Sequence, residues 1–274
     1  MMKTQNYGLL IFSFLQIGLA PSNLWAQQSN DKPEPVVFHA VRYIEVDKEN
    51  RDAFVKAVEE KTRKYNADAS SSQWWTYQIL NGPRSNMFAR GFGRVTADEL
   101  DSPKFKAQGF APDWDAEEAQ YWKKHIRPLE KSAGKGELWR EIAGTEYRGL
   151  PEKSKPRFVR HRKWKMLPGM YQRLESHYQK LTKAIAASKR PIDWCVARLE
   201  MGGDFMTYSE TIAFNKLGDI LMADQVRVDF DTIHGEGAWK KWLQEHARIM
   251  QPNAEVITEV WEYKPTMSNS ALGK

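Results

Sequence analysis

The 274-residue chain has one cysteine, Cys195, so no disulfide inside it can carry the fold. It has one long apolar run, at the N-terminus, which excludes a polytopic membrane protein. Its six histidines form neither H-x-x-x-H nor HExxH, so a zinc site built from a local motif is not expected. It lacks GxSxG, a phosphate-binding P-loop and GxGxxG in a strand–helix context, which removes the commonest hydrolase and nucleotide-binding signatures. Gly91-Phe92-Gly93 lies inside a strand pattern and reads as room for close backbone approach. What remains is a globular composition: 41% hydrophobic, 28% charged and a formal net charge of +6.

Residues 1–26 read as a secretory signal. Lys3 is the positive start, Gly8 to Ala20 the apolar stretch, and Leu24-Trp25-Ala26 the cleavage site before Gln27. The stretch is shorter than the roughly 20 apolar residues a span needs. The expectation is a periplasmic or secreted protein with no membrane span after cleavage. Residues 27–35 form a polar leader, 150–156 a linker and 266–274 a tail.

The linker invites a comparison of the residues on either side of it. When Phe38 is set on Phe158, Arg42 meets Arg162, Thr62 meets Thr182, Trp74 meets Trp194 and Gly82 meets Gly202. Each half, 36–149 and 157–265, reads strand, helix, strand, strand, helix, strand. That order is the ferredoxin-like βαββαβ unit, whose sheet carries helices on one face only. The expected fold is α+β: two tandem repeats packed sheet to sheet as a pseudo-dimeric barrel. This resembles the dimeric α/β-barrel superfamily, with both halves in one chain. The resemblance implies a pocket, and kinship with cofactor-free monooxygenases, haem-handling enzymes and ligand-binding proteins. The tandem arrangement predicts a monomer.

Alternate strand residues share a face. In 192–201, Cys195, Ala197 and Leu199 are small or apolar and read as the helix-covered face. Trp194, Arg198 and Glu200 then point between the sheets, with Trp74 and Gln78 from the first half and Tyr208 and Glu210 from the next strand. Arg42 and Arg162 occupy equivalent places on the first strands. A buried guanidinium needs an anion. Two readings stand: a ligand pocket that grips an anionic or aromatic molecule, or internal ion pairs to Glu200 and Glu210. His161, flanked by Arg160 and Arg162, would be held neutral and is the candidate base. His177 and His246 on helices are the candidates for a haem ligand.

The basic run Arg157 to Lys165 alternates across two strand faces and does not make a nucleic-acid groove. The expected function is small-molecule binding. The alternatives are a cofactor-free or haem-dependent oxygenase, and a non-catalytic interaction module with a filled barrel.

Overall fold

The computed structural model describes residues 36–67, 74–101, 117–151 and 155–268. The expected signal and leader, residues 1–35, and residues 269–274 lie outside the described residues. The first half runs β1 (Val37–Glu45), α1 (Arg51–Tyr65), β2 (Trp75–Ile79) and β3 (Phe88–Thr96). A single turn, α2 (Ala97–Leu100), and α3 (Glu117–Tyr121) follow. α3 continues as a π-turn over Trp122–Ile126, before β4 (Ser132–Glu141) and the two-residue β5 (Tyr147–Arg148). The second half runs β6 (Phe158–Lys165), α4 (Tyr171–Ala187), β7 (Asp193–Met201), β8 (Thr207–Phe214), α5 (Met222–His234), α6 (Ala238–Ile249) and β9 (Ile257–Tyr263).

The expected pair of sheets packed face to face is overturned. Eight antiparallel strands close into one barrel, in the order β4-β1-β3-β2-β9-β6-β8-β7, and β7 returns to β4. Both seams between the halves are hydrogen-bonded ladders. Tyr77, Gln78 and Ile79 pair with Tyr263, Glu262 and Trp261. Leu138 to Glu141 pair with residues from Met201 to Ala197. The physical reason is edge satisfaction. Two stacked sheets would leave four rows of unpaired backbone groups, and closure removes them.

The helices lie against the outside of this barrel, so most strands are buried on both faces. α4 shows how. Leu174, His177, Tyr178, Leu181, Ala184 and Ile185 recur at helical spacing and are all buried. They meet the outer face of the second half at Trp164, Trp194, Val196, Tyr208 and Phe214. The helix stops at Ser188, and Lys189 turns left-handed with φ 49°. α1 does the same for the first half, where Phe54 and Val58 meet Ile44, Phe88, Trp122 and Ile126. Part of the expected polar tail docks there too: Met267 is 1% exposed, and Thr76 bonds to Met267 and Ser268.

The barrel bore holds a third core of Val41, Tyr43, Ile79, Trp139, Leu199 and Trp261. Close approach inside it needs glycine. A Cβ on Gly91 would stand 1.9 Å from the Ala40 carbonyl oxygen.

Candidate functional site

The bore contains a cavity of about 380 Å³, within the range of small-molecule sites. Trp75, Tyr77, Trp139 and Trp261 supply its aromatic walls, and Val41, Val159 and Ala197 its aliphatic ones. It exists because small residues face inward: Cys195 and Ala197 on β7 and Ser209 and Thr211 on the adjacent β8, with Gly93 on β3 across the ring. An eight-stranded barrel is otherwise just wide enough to be filled by its own side chains.

Two polar clusters bound the cavity. At one end Lys163 donates to Tyr43 Oη at 2.8 Å and to Glu137 Oε2 at 3.0 Å. Tyr43 and the Trp139 indole also donate to that carboxylate oxygen, at 2.9 and 3.0 Å. Burial lowers Lys163 to about 8, against the pull of Glu137. Arg84 lies over the Tyr43 ring and makes two bonds, 2.8 and 2.7 Å, to Glu259, which is wholly buried. Beyond this plug lies a second hollow of about 530 Å³, which shares Trp139 and Lys163 as wall. At the other end His39 Nε2 meets Glu141 Oε1 at 2.6 Å, and Arg94 and Arg148 reach the same oxygen at 3.5 and 3.3 Å. Burial would raise the Glu141 carboxyl, but the bond to His39 and the two arginine charges outweigh it and hold it low.

His161 lies in the wall without a carboxylate partner among the described residues. Its ring stacks on Trp261 with centroids 3.8 Å apart. Nδ1 lies 3.3 Å from Ser209 Oγ and 3.2 Å from Thr211 Oγ1. Burial first, then the charges of Lys163 and Arg84, hold its pKa well below the ordinary histidine value. The ring is therefore neutral at pH 7. In the tautomer that carries its proton on Nδ1 and donates it to one of these hydroxyls, Nε2 holds the lone pair that can accept a proton. Cys195 also faces the bore rather than the helices. Burial pushes its thiol up to about 12, so it is not a nucleophile.

The structure places His161 in this wall, and the nine expected ligand-binding residues elsewhere. Those nine occupy the opposite face of their strands. Arg42 bonds to Glu130 at 3.1 Å and lies over Trp122. Trp74 packs on Phe92 beside Lys61 and Arg90. Gln78 is half-buried on the same face of β2 as Thr76. Trp194 donates to Thr182 Oγ1 on α4 at 3.0 Å, and Tyr208 packs on Trp164. Glu200 accepts from Arg198, which lies over Tyr171, and from Arg140 at 2.7 Å. Arg162 is exposed, and Glu210 is buried with its carboxyl pushed up by burial. With Trp194 these two line a smaller space of about 280 Å³ under the helices. So the tryptophans of the repeat turn outward, and Trp75 and Tyr77, one residue over, take the inward places. The missed signal was size: a cavity in a narrow barrel requires the small-residue face of β7 inside.

The two histidines expected as haem ligands do not frame a haem site. The expected ligands His177 and His246 stack on Trp242 at 4.1 and 5.1 Å. The space beside His246 measures about 280 Å³, below the size for a drug-sized ligand and far below that for a porphyrin. Among the described residues no group of three or more His, Cys, Asp or Glu could hold a metal ion.

No family model matches the sequence, and no curated protein matches it. Solved structures do. A protein provisionally described as a monooxygenase, from Fusobacterium nucleatum, superposes with TM-score 0.54 at 9% identity, covering 87% of this chain and 96% of that one. One described in the same way, from Lactobacillus acidophilus, gives 0.51 at 10% identity, covering 83% and 94%. The fold is of the dimeric α/β-barrel type. A chlorite dismutase from Candidatus Nitrospira defluvii reaches only 0.47 at 10% identity, covering 86% and 93%, too slight a likeness to carry weight. At such identities the dimeric α/β barrel is shared as a backbone, and the chemistry rests on the bore of this chain.

Proposed function

We propose that this protein is exported and binds a small, flat, mainly apolar molecule in the barrel bore. The observation that carries the proposal is the cavity of about 380 Å³ walled by Trp75, Tyr77, Trp139 and Trp261. Of the two ligand classes expected, aromatic and anionic, the wall favours the first. Its cations are already engaged, Lys163 by Glu137 and Arg94 by Glu141 and Glu146. A cavity of this size also speaks against the module with a filled barrel. Export rests on the N-terminal segment, and no helix among the described residues is long and apolar enough to cross a membrane.

The test is titration with 2-naphthol, followed by quenching of tryptophan fluorescence. Ala197→Trp places an indole in the hollow and should weaken binding by at least roughly tenfold, with the unfolding midpoint preserved. Equal binding by this variant sinks the proposal.

His161 favours a second reading, a cofactor-free oxygenase. The neutral imidazole would take a proton from an activated CH₂ group of the bound molecule. The carbanion's electron pair joins dioxygen in a new C–O bond, and the peroxide takes up a proton. Loss of the second C–H proton then breaks the O–O bond and leaves a carbonyl and water. Oxygen consumption with an anthrone-like CH₂ substrate, lost in His161→Gln while binding persists, is the expected result. No uptake by the wild type leaves binding alone.

A further inference from the structure

The layer between α1 and the outer face of the first half differs from its counterpart in the second half. The repeat sets Thr62 on Thr182 and Trp74 on Trp194. In the second half these groups bond to each other, Trp194 Nε1 donating to Thr182 Oγ1 at 3.0 Å. In the first half Thr62 Oγ1 and Trp74 Nε1 are both buried and neither has a partner among the described residues. Buried polar groups are nearly always satisfied, and an unsatisfied pair at a place where the repeat makes a bond calls for a cause.

The same register places Lys61 and Arg90 where the second half has Leu181 and Glu210. Both are almost wholly buried, at 2% and 3% exposure. Lys61 Nζ lies 5.5 Å from the Trp74 ring and 6.0 Å from that of Trp122. Arg90 Cζ lies 5.1 and 5.2 Å from the same two rings. Two cations thus share the ground between two indoles.

The nearby carboxylates are spent. Glu118 is bonded to Lys61 and accepts from Asn66 at 3.1 Å. Glu130 is held by Arg42, Trp122 and Arg127. Among the described residues Arg90 donates to neutral acceptors, Thr76 Oγ1 at 2.6 Å and the Met267 carbonyl at 2.8 Å, both from Nη1, and its Nη2 has no acceptor. A buried guanidinium without an anion is disfavoured. Burial draws Arg90 down to about 9 against the pull of Glu118, and burial with the Arg90 charge draws Lys61 to about 7, also against Glu118.

We infer that this layer is an anion site: a small oxyanion accepts hydrogen bonds from Arg90 Nη2, Trp74 Nε1 and Thr62 Oγ1, with Lys61 as the second positive charge. Three unspent donors beside two crowded cations are the complement of such a group. Inorganic phosphate and the carboxylate of a small acid share that chemistry. The site lies outside the barrel wall and is independent of the bore.

The experiment is thermal unfolding of the whole chain in rising phosphate or acetate, against chloride at matched ionic strength. The midpoint should climb with the logarithm of the oxyanion concentration, by roughly 5 °C or more at saturation. A response to phosphate alone, or to acetate alone, assigns the source. Arg90→Met should fold, since an apolar residue replaces an unpaired buried charge, and should lose the response. Trp74→Phe and Thr62→Val each remove one donor, and should reduce it whether or not Arg90→Met folds. A midpoint no more sensitive to either oxyanion than to chloride overturns the inference. So does a full response in Trp74→Phe and Thr62→Val.

Discussion

Glu259 shows how charge is held inside this barrel. It is wholly buried, doubly bonded to Arg84 and also bonded by the Trp261 indole. Removing the guanidinium strands a carboxylate in the interior. Arg84→Met should therefore cost roughly 3–5 kcal/mol in urea unfolding. Three buried histidines set the acid response. Burial lowers His161 well below its ordinary value, His177 to about 3 and His246 to about 4. The unfolded chain takes up these protons near pH 6.5, and the fold only at lower pH. The unfolded state therefore binds more protons in between, and stability falls as pH drops from about 6.5 towards 4. Each histidine contributes a slope of at most ~1.4 kcal/mol per pH unit. The midpoint should drop between pH 7 and pH 5, and drop less in His177→Gln. At this scale the sequence was half legible. His161 was singled out because Arg160 and Arg162 flank it, but those two lie on the other face of the strand, and burial with the charges of Lys163, Arg84 and His39 is what lowers its pKa. The face on which Trp194 and Arg162 lie was not readable, because a strand with helices outside and a bore inside is buried on both sides. Polarity then does not separate the faces, and Lys163 lies inward while Arg162 lies outward.

At the scale of elements, β1 to β3, β6 to β9 and four of the helices lie within a few residues of where period-2 and period-3.6 patterns put them, whereas the single strand expected over 137–148 is β4, beginning at Ser132, and the separate β5. α5 was not readable. Its sequence carries Val226, Val228, Thr232 and Ile233 with Asp229 and Asp231, which are weak helix formers. Burial of Val226 and Phe230 against α4 and α6 supplies what propensity lacks. Asp47 reads as a helix cap but precedes a 3₁₀ turn and makes no capping bond. Gly82 and Gly202, matched by the repeat, are both left-handed, at φ 89° and 94°. A Cβ on Gly202 would stand 2.0 Å from the Gly136 carbonyl oxygen across the β4–β7 seam. Gly235 has the same φ and open space around it. Gly235→Ala should cost about 1–2 kcal/mol for its left-handed φ. Gly202→Ala should cost clearly more, since backbone must also move; denaturant midpoints of the two variants decide it.

Over the whole molecule, closure within one chain leaves no long free strand edge among the described residues; β5, at the margin, is two residues long. The expected outcome of sedimentation equilibrium is a monomer. The proposed export predicts that mass spectrometry of the mature protein gives a chain beginning at Gln27. What the amino-acid order determined by itself was local: where most of the strands and helices lie. These follow from nearest neighbours and periodicity. Only the tertiary structure decided that the strands join in one ring, which face of each looks into it, and therefore that Trp75 and Tyr77 line the hollow. Those outcomes depend on pairing edges distant in sequence and on the width of the resulting bore, and neither is set by any residue's immediate neighbours.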